Sequence, residues 1–557
     1  MRKSLSVLLL ACLLLTCLPG TAYARGYDPV MKIGLYYDSA ALAAANLQNV
    51  SGMEEGYQFG YYDAEREFFP TFVLYGENQI TVLKNANMWR TGSTYSDVAL
   101  ANYDQIIGAY CVQIDGLFDA EEAQDILYEL QDYGLNGYLC CVRDGFRVRI
   151  GTWSTQSESE NQLETLERLT GYELVLRGPS STGYTVVLTG TGEIVYQFDM
   201  LGDYPLGIRP LSEQTWFKGY KYYGGFEYYR PSGNNIHVIN VVELSDYVKG
   251  VIPYEMSPSW PIEALKAQAL CAKSYSLNSL HKHASKGFDL CNTTDCQVYY
   301  GTNNSTSVSD AAVDAVEGLF VLYQGEVCQT YYHASSGGYT EDAGNIWGKD
   351  IPYLKAVEDT YLESYRPFSY TLTLDDITWI LTEKGYISQR VTDLYVSKYS
   401  PVGNVLALTA VLADGSTKTF TGDRARTALN SQTKGISIGS HRYTINGGSG
   451  DRSVSINGTQ VSLDGLYVQG DGRKAQKLDL EETVYALTAS GLEQVTITEP
   501  QQTTVSSGTY VISGTGSGHN IGLSQEGARA MANLGFTYEE IIRFYFTGVT
   551  VDYYDPN

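Results

Sequence analysis

The chain has 557 residues, 43% hydrophobic and 18% charged, a balance that suits several globular domains and excludes a globally disordered protein. A formal net charge of −25 excludes the basic surface that nucleic-acid backbones require and argues against electrostatic docking on anionic lipid. Tyrosine is abundant, at 47 residues against 16 Phe and 6 Trp, and its flat apolar ring with a polar tip suits either sugar stacking or β-sheet packing.

The N-terminus carries Arg2 and Lys3, a mostly apolar run over residues 5–18, and Ala22-Tyr23-Ala24. This is the pattern of a cleavable export signal, residues 1–24, with the mature chain starting at Arg25. The run is too short to span a membrane comfortably. Cys17 near its end leaves a lipid-anchored form open, although Thr16 before it fits that form poorly. Seven cysteines remain after cleavage, an odd number spread over a long chain, which is not a disulfide framework. Cys111, Cys140 and Cys141 lie in strand-like runs and read as buried thiols.

Residues 25–105 read as a β-rich region, with strands at 31–35 and 79–83. A different pattern occupies 106–178. A strand at 109–114 precedes a helix over 121–133, whose Ala123, Ile126, Leu127 and Leu130 share one face and which Gly134 ends. Strands at 137–142 and 146–150 follow, joined at Asp144-Gly145, and then a helix over 158–169, giving a βαββα unit. Residues 179–205 form a linker or a continuation of the first region, with strands at 184–188 and 193–198, so the unit reads as an insertion. A third region runs from 206 to 557, with strands at 226–229 and 236–242. Within it, residues 370–511 read as an accessory insertion of strands and loops, with a hairpin over 410–419 at Asp414-Gly415. The expected class is α+β, mixed and multi-domain, with a β-rich catalytic region.

The densest chemistry lies between 241 and 301. Pro261 suits the first turn of a helix over 262–277. Glu255 reads as a loop residue just ahead of that helix, among Ile252, Tyr254, Met256 and Trp260. Desolvation there favours a protonated carboxyl, as a general acid for glycosidic cleavage requires. The helix N-terminus would favour the anion, and sequence does not decide between them. Taken alone, such a glutamate is more often a solvated cap.

Cys291 and Cys296, with His281 or His283 upstream and Asp295 as an oxygen donor, form a candidate zinc site; a disulfide or two free thiols are the alternatives. His333 precedes Ser335-Ser336-Gly337-Gly338, which raises a Ser/His hydrolase with Ser335 or Ser336 as nucleophile. No Gly-x-Ser-x-Gly elbow supports it. The preferred reading is a binding cleft in which Gly337 and Gly338 let the backbone approach a sugar, with an ordinary glycine turn as the alternative.

Several blocks in order resemble the SpoIID/LytB sporulation and cell-wall family. They are Glu255-Met256, Ala264-Leu265-Lys266-Ala267-Gln268-Ala269, Gly287-Phe288-Asp289-Leu290-Cys291 and Cys296-Gln297-Val298-Tyr299. Further blocks are His333 to Thr340, Pro352-Tyr353-Leu354, and Gly518 to Ala528. The resemblance implies a lytic transglycosylase that cleaves between N-acetylmuramic acid and N-acetylglucosamine, in sporulation or wall remodelling. One carboxyl suffices for that reaction, and Glu255 matches the family's catalytic glutamate. Lys273, Gln297, Tyr299, Ser335, Ser336, Gly337, His519 and Gln525 become candidate substrate-binding residues. Cys291, Cys296 and His283 become candidate ligands of a structural zinc; no cofactor is required for the chemistry.

Three positions depart from the family pattern: Lys273 stands for a usual arginine, Asn520 for a usual glycine and Glu526 for a usual tyrosine. The unit at 106–178 resembles the SPOR domain, through Tyr110-x-Val112-Gln113-Ile114-x-Gly116-x-Phe118 and Arg147-Val148-Arg149-Ile150-Gly151. That resemblance implies binding of peptidoglycan glycan strands stripped of stem peptides. The implied location is outside the cell, in the wall or on the extracellular face of the membrane. Two rival classes stay open: a non-catalytic wall-binding activator of a partner amidase, and a purely structural sporulation protein.

Overall fold

The computed structural model describes residues 27–445 and 509–556, and the backbone pairing of short strands within 453–498. The export signal at 1–24 and Cys17 lie outside the described residues. The fold is α+β and strand-rich, with several sheets and interspersed helices. Two compact units divide the chain, one of residues 1–259, 272–320 and 553–557, the other of 260–271 and 321–552. Among the described residues, no helix is long and apolar enough to cross a membrane.

In the first unit, His237–Glu243 is buried at six consecutive positions, the pattern of a strand covered on both faces. It lies inside a seven-stranded sheet ordered Leu290–Cys291, Val30–Tyr36, His237–Glu243, Gly225–Tyr229, Leu206–Pro210, Gly56–Tyr62 and Phe68–Tyr75. The short edge strand pairs parallel with the first, Ile33 opposite Leu290 and Gly34 opposite Cys291. Gly34 is required there, because a Cβ would lie 2.5 Å from the Phe288 ring.

The second sheet of this unit has ten strands and contains the inserted segment. Helices α1 (Ala120–Asp132) and α2 (Gln156–Thr170) start at capping boxes, Asp119 with Glu122 and Thr155 with Glu158. The hairpin turn between the strands is Arg143-Asp144, since Val142 pairs with Gly145; the expected Asp144-Gly145 turn is one residue late. A further strand, Leu174–Arg177, pairs antiparallel with Tyr110–Ile114 and makes the segment βαββαβ. Its outer strand Gly137–Val142 also pairs in parallel with Ile194–Phe198, Leu139 opposite Tyr196. The segment therefore shares one sheet with the surrounding strands, because its edge amides are satisfied by the host.

In the second unit, Phe368–Thr373, Thr509–Gly514 and Tyr443–Ile445 form one sheet, and Val391–Tyr399, Val405–Leu412 and Thr417–Thr421 another. Leu372, Ile377, Ile380, Leu408, Phe420 and Ile512 contribute to their common core. Tyr332–His333 pairs in parallel with Leu523–Ser524, which joins two distant sequence blocks.

Candidate functional site

Helix α3 (Leu244–Glu255) follows the strand His237–Glu243 without a loop, and Glu255 is its last residue. This corrects the expected loop position ahead of the next helix, α4 (Ile262–Asn278). Pro253 sits in the last turn, where its missing amide shortens the run of helical hydrogen bonds. The correction reverses the dipole: carbonyls at a helix C-terminus disfavour a nearby carboxylate, in the same sense as desolvation. Glu255 is half-buried, and the Val298 amide donates to its Oε1 at 3.4 Å. Beside it the Tyr254 hydroxyl donates to the Tyr300 carbonyl at 3.0 Å. Two hydrogen bonds thus tie the end of α3 to the 298–300 segment and fix where the carboxyl points.

Three candidate binding residues of the same unit are interior. The Lys273 side chain is fully buried, donates to the Val316 carbonyl at 2.8 Å and lies 4.9 Å from the Phe320 ring centroid. Burial pushes its ammonium down to about 8. Gln297 donates to Ser276 Oγ at 2.8 Å and to the Tyr247 hydroxyl at 3.3 Å. Tyr299 donates to Asn240 Oδ1 at 2.7 Å, and its ring lies over Gly250 of α3, where a Cβ would come within 2.4 Å. These contacts place Lys273, Gln297 and Tyr299 in the interior, where they pack around α3 and the C-terminal part of α4.

The remaining candidates belong to the second unit. Ser335 and Ser336 are fully buried. Ser335 donates to the Ser364 carbonyl at 2.9 Å, and Ser336 to Asp359 Oδ2 at 2.6 Å. The Tyr545 hydroxyl donates to the other oxygen of Asp359 at 2.9 Å, and burial raises that carboxyl's pKa. His333 directs Nδ1 to the Ile521 carbonyl at 3.2 Å, and burial holds its imidazole down at about 4. Among the described residues its Nε2 has no hydrogen-bond partner. Both serine hydroxyls donate to partners other than His333, so the described residues show no Ser–His hydrogen bond of the hydrolase kind.

Gly337 has φ +69°, and a Cβ there would lie 2.6 Å from the Thr515 backbone. Its carbonyl accepts from Thr515 Oγ1 at 2.9 Å. The close approach seen at Gly337 is to the protein's own chain. Gln525 is buried and donates to Gln268 Oε1 at 3.3 Å. His519 is half-buried, with ring centroids 5.2 Å from Trp347 and 5.5 Å from His333; desolvation first, then His333, lowers its pKa. Of these candidates, Glu255 and His519 alone keep partial exposure.

Two departures from the family pattern have local explanations. Asn520 adopts φ +65°, a left-handed conformation that asparagine tolerates better than most residues. Its Nδ2 donates to the Ser336 carbonyl at 2.7 Å, and its Oδ1 accepts from the His441 amide at 3.1 Å. Glu526 accepts from Arg366 at 2.6 Å. Sequence gave no signal for Asp359, which reaches Ser336 across 23 positions, or for Gly250 beneath Tyr299.

His283, Cys291, Asp295 and Cys296 bring four ligand atoms within 4.8 Å of one another. His283 Nε2 is 3.3 Å from Cys296 Sγ and 3.2 Å from Asp295 Oδ2. His281 faces Asp289 instead, at 3.2 Å. Tetrahedral zinc with ligands at 2.0–2.3 Å needs donor atoms about 3.3–3.8 Å apart, close to the separations from His283, so this S₂NO set suits the ion. A hydrogen bond from the Cys296 thiol lowers the pKa of Cys291, and the same bond raises that of Cys296. The pair thus favours one thiolate, the ionised form a metal takes.

Residues 232–323, which contain Glu255, Lys273 and the His283–Cys296 cluster, match the family model SpoIID, stage II sporulation protein. Stage II sporulation protein D of Bacillus subtilis is 25% identical over 325 residues, 56% of this chain and 74% of that protein. These matches support the SpoIID family. The Bacillus subtilis protein named amidase enhancer is 30% identical over 325 residues, covering 55% of this chain and 40% of its own length. An uncharacterised protein of Brachyspira hyodysenteriae is 29% identical over 338 residues, 60% of this chain and 73% of that protein. The SpoIID match begins after the βαββαβ segment, which it leaves out.

Proposed function

We propose that the chain is an exported peptidoglycan lytic transglycosylase, acting on glycan strands in the cell wall or at the extracellular face of the membrane. The observation that carries the reading is Glu255: half-buried at the C-terminal end of α3, held by the Val298 amide and flanked by Tyr254 and Tyr300. Its carboxyl donates a proton to the bridging oxygen as the muramic C1–O bond breaks. The carboxylate then takes the proton of the same sugar's 6-hydroxyl as that oxygen bonds to C1. The proton count closes without water, and a 1,6-anhydro end forms. The carbonyls of the helix end favour the protonated starting state, while the Val298 amide that positions the carboxyl favours the anion formed after the first transfer.

The His283–Cys296 cluster would hold a structural zinc, fixing the loop that leads to Val298. The ion takes no part in the proton transfers. The βαββαβ segment resembles a SPOR domain and would retain the protein on strands stripped of stem peptides. Digestion of purified glycan strands tests the catalytic reading: wild type yields anhydro-ended fragments and Glu255→Gln yields none.

A second reading has its own support in the similarity to the amidase enhancer. In that reading the chain binds wall glycan and raises the activity of a partner amidase without cutting strands itself. Wild-type protein that stimulates an amidase but leaves purified strands intact would establish it.

A further inference from the structure

We propose that Tyr220 and Tyr300, with Tyr254 as a buttress, form a sugar-stacking subsite beside Glu255, contributed partly by residues that precede the SpoIID match. This inference rests on the glycan reading of Glu255 and specifies where a second stretch of the strand lies. The Tyr220 and Tyr300 rings are stacked, with centroids 5.5 Å apart and planes 24° apart. Tyr254 meets Tyr300 edge-on at 5.5 Å, and its hydroxyl holds the Tyr300 carbonyl. Tyr300 is exposed, and Tyr220 and Tyr254 are half-buried. Their near neighbours in the chain are interior, Tyr222 against Tyr299 at 5.5 Å and Tyr299 against Tyr247 at 4.7 Å.

The platform's two halves are locked together. Tyr220 begins the strand Tyr220–Tyr223, and its neighbour Lys221 donates its amide to Asn303 Oδ1 at 2.7 Å. The Thr302 amide donates to the Lys221 carbonyl at 2.8 Å. Gly301, at φ +66°, is obligatory between them, because a Cβ would lie 2.1 Å from the Lys221 carbonyl oxygen. Tyr300 is two residues from Val298 and Tyr254 one residue from Glu255, and both segments bond to each other at those points. Pyranose rings offer apolar C–H faces, and preordered aromatic rings bind them with little entropy loss. A polymer of such rings lying across Glu255 has this platform within a residue or two of the cut. The occupant is an N-acetylated hexosamine ring of the strand, and Tyr220 brings to the subsite a residue outside the matched stretch 232–323.

The test measures binding of N-acetylglucosamine trimer and hexamer to full-length Glu255→Gln protein, which does not turn over. The expected result is ring-current upfield shifts of hexamer protons and about tenfold weaker hexamer binding in Tyr220→Ala. Tyr220→Phe should restore binding to within about twofold, since the ring and not the hydroxyl does the stacking, and trimer binding should change less. Thermal melting of each variant separates loss of the platform from loss of fold. Hexamer bound equally by Tyr220→Ala and its parent, with unchanged proton shifts, overturns the subsite and leaves the glycan reading standing. A parent that binds neither oligosaccharide overturns the glycan reading and the subsite with it.

Discussion

Replacing Lys273 with methionine tests whether this side chain serves the interior or a substrate. Its ammonium is fully buried with its pKa pushed down to about 8, against 10.5 for the free side chain. The difference corresponds to about 3 kcal/mol of unfavourable charge burial. Against that stand the hydrogen bond to the Val316 carbonyl, about 1.5–3 kcal/mol, and the contact with Phe320, up to about 2 kcal/mol. Lys273→Met loses all three together, so its stability at pH 7 should lie within about 1–2 kcal/mol of wild type.

The pH dependence is sharper. Between pH 8 and 10.5 the unfolded chain keeps the proton and the folded chain loses it, so wild-type stability rises with pH from this group. The difference between wild type and Lys273→Met should therefore move by about 3 kcal/mol in favour of wild type across that window. Buried tyrosines such as Tyr62 and Tyr184, whose pKa values burial raises, act in the opposite sense at higher pH, but they are common to both proteins and cancel. Urea unfolding at pH 7, 8, 9 and 10 gives the answer. A difference independent of pH would refute the buried-cation reasoning, and a large loss of turnover with stability retained would restore a substrate role.

Gly250→Ala should destabilise the protein by about 1–2 kcal/mol in urea unfolding. The added methyl meets Tyr299 at 2.4 Å, and overpacking of about 1–3 kcal/mol outweighs a helix-propensity gain of about 1 kcal/mol. Ser336→Ala should cost about 1.5–3 kcal/mol by leaving Asp359 short of a buried donor, while turnover per folded molecule stays within about twofold. Elemental analysis should find about one zinc per chain, falling below about 0.1 in Cys291→Ser. Metal-free protein with both thiols titratable would remove the zinc proposal.

Periodicity made the helices of the 106–178 segment readable, and the capping boxes at Asp119/Glu122 and Thr155/Glu158 set their observed N-termini one and two residues earlier than that reading. Its added strand and its merger with the host sheet were not readable, since alternation along Gly137–Val142 does not name a partner such as Ile194–Phe198. The motif blocks name positions, and a position in a motif does not by itself name a role. Polar residues such as Gln297, Ser335 and Ser336 suggest ligand contact in one dimension. In three dimensions they satisfy buried partners that lie 21, 29 and 23 positions away. Glu255 was located by the family pattern, but its place at the end of α3 escaped notice because Gly250 and Pro253 weaken a helix pattern that packing against Tyr299 sustains. The aromatic platform was invisible because Tyr220 and Tyr300 stand 80 residues apart in a chain rich in tyrosine.

Mass spectrometry of products from purified, stem-peptide-free glycan strands, with wild type and Glu255→Gln side by side at matched folding, addresses the proton-transfer proposal most directly. It should show 1,6-anhydro ends accumulating with wild type and absent with the variant. Identical anhydro products from both proteins would place the chemistry on another group, and intact strands from both would leave the protein as a wall-binding partner of some other enzyme.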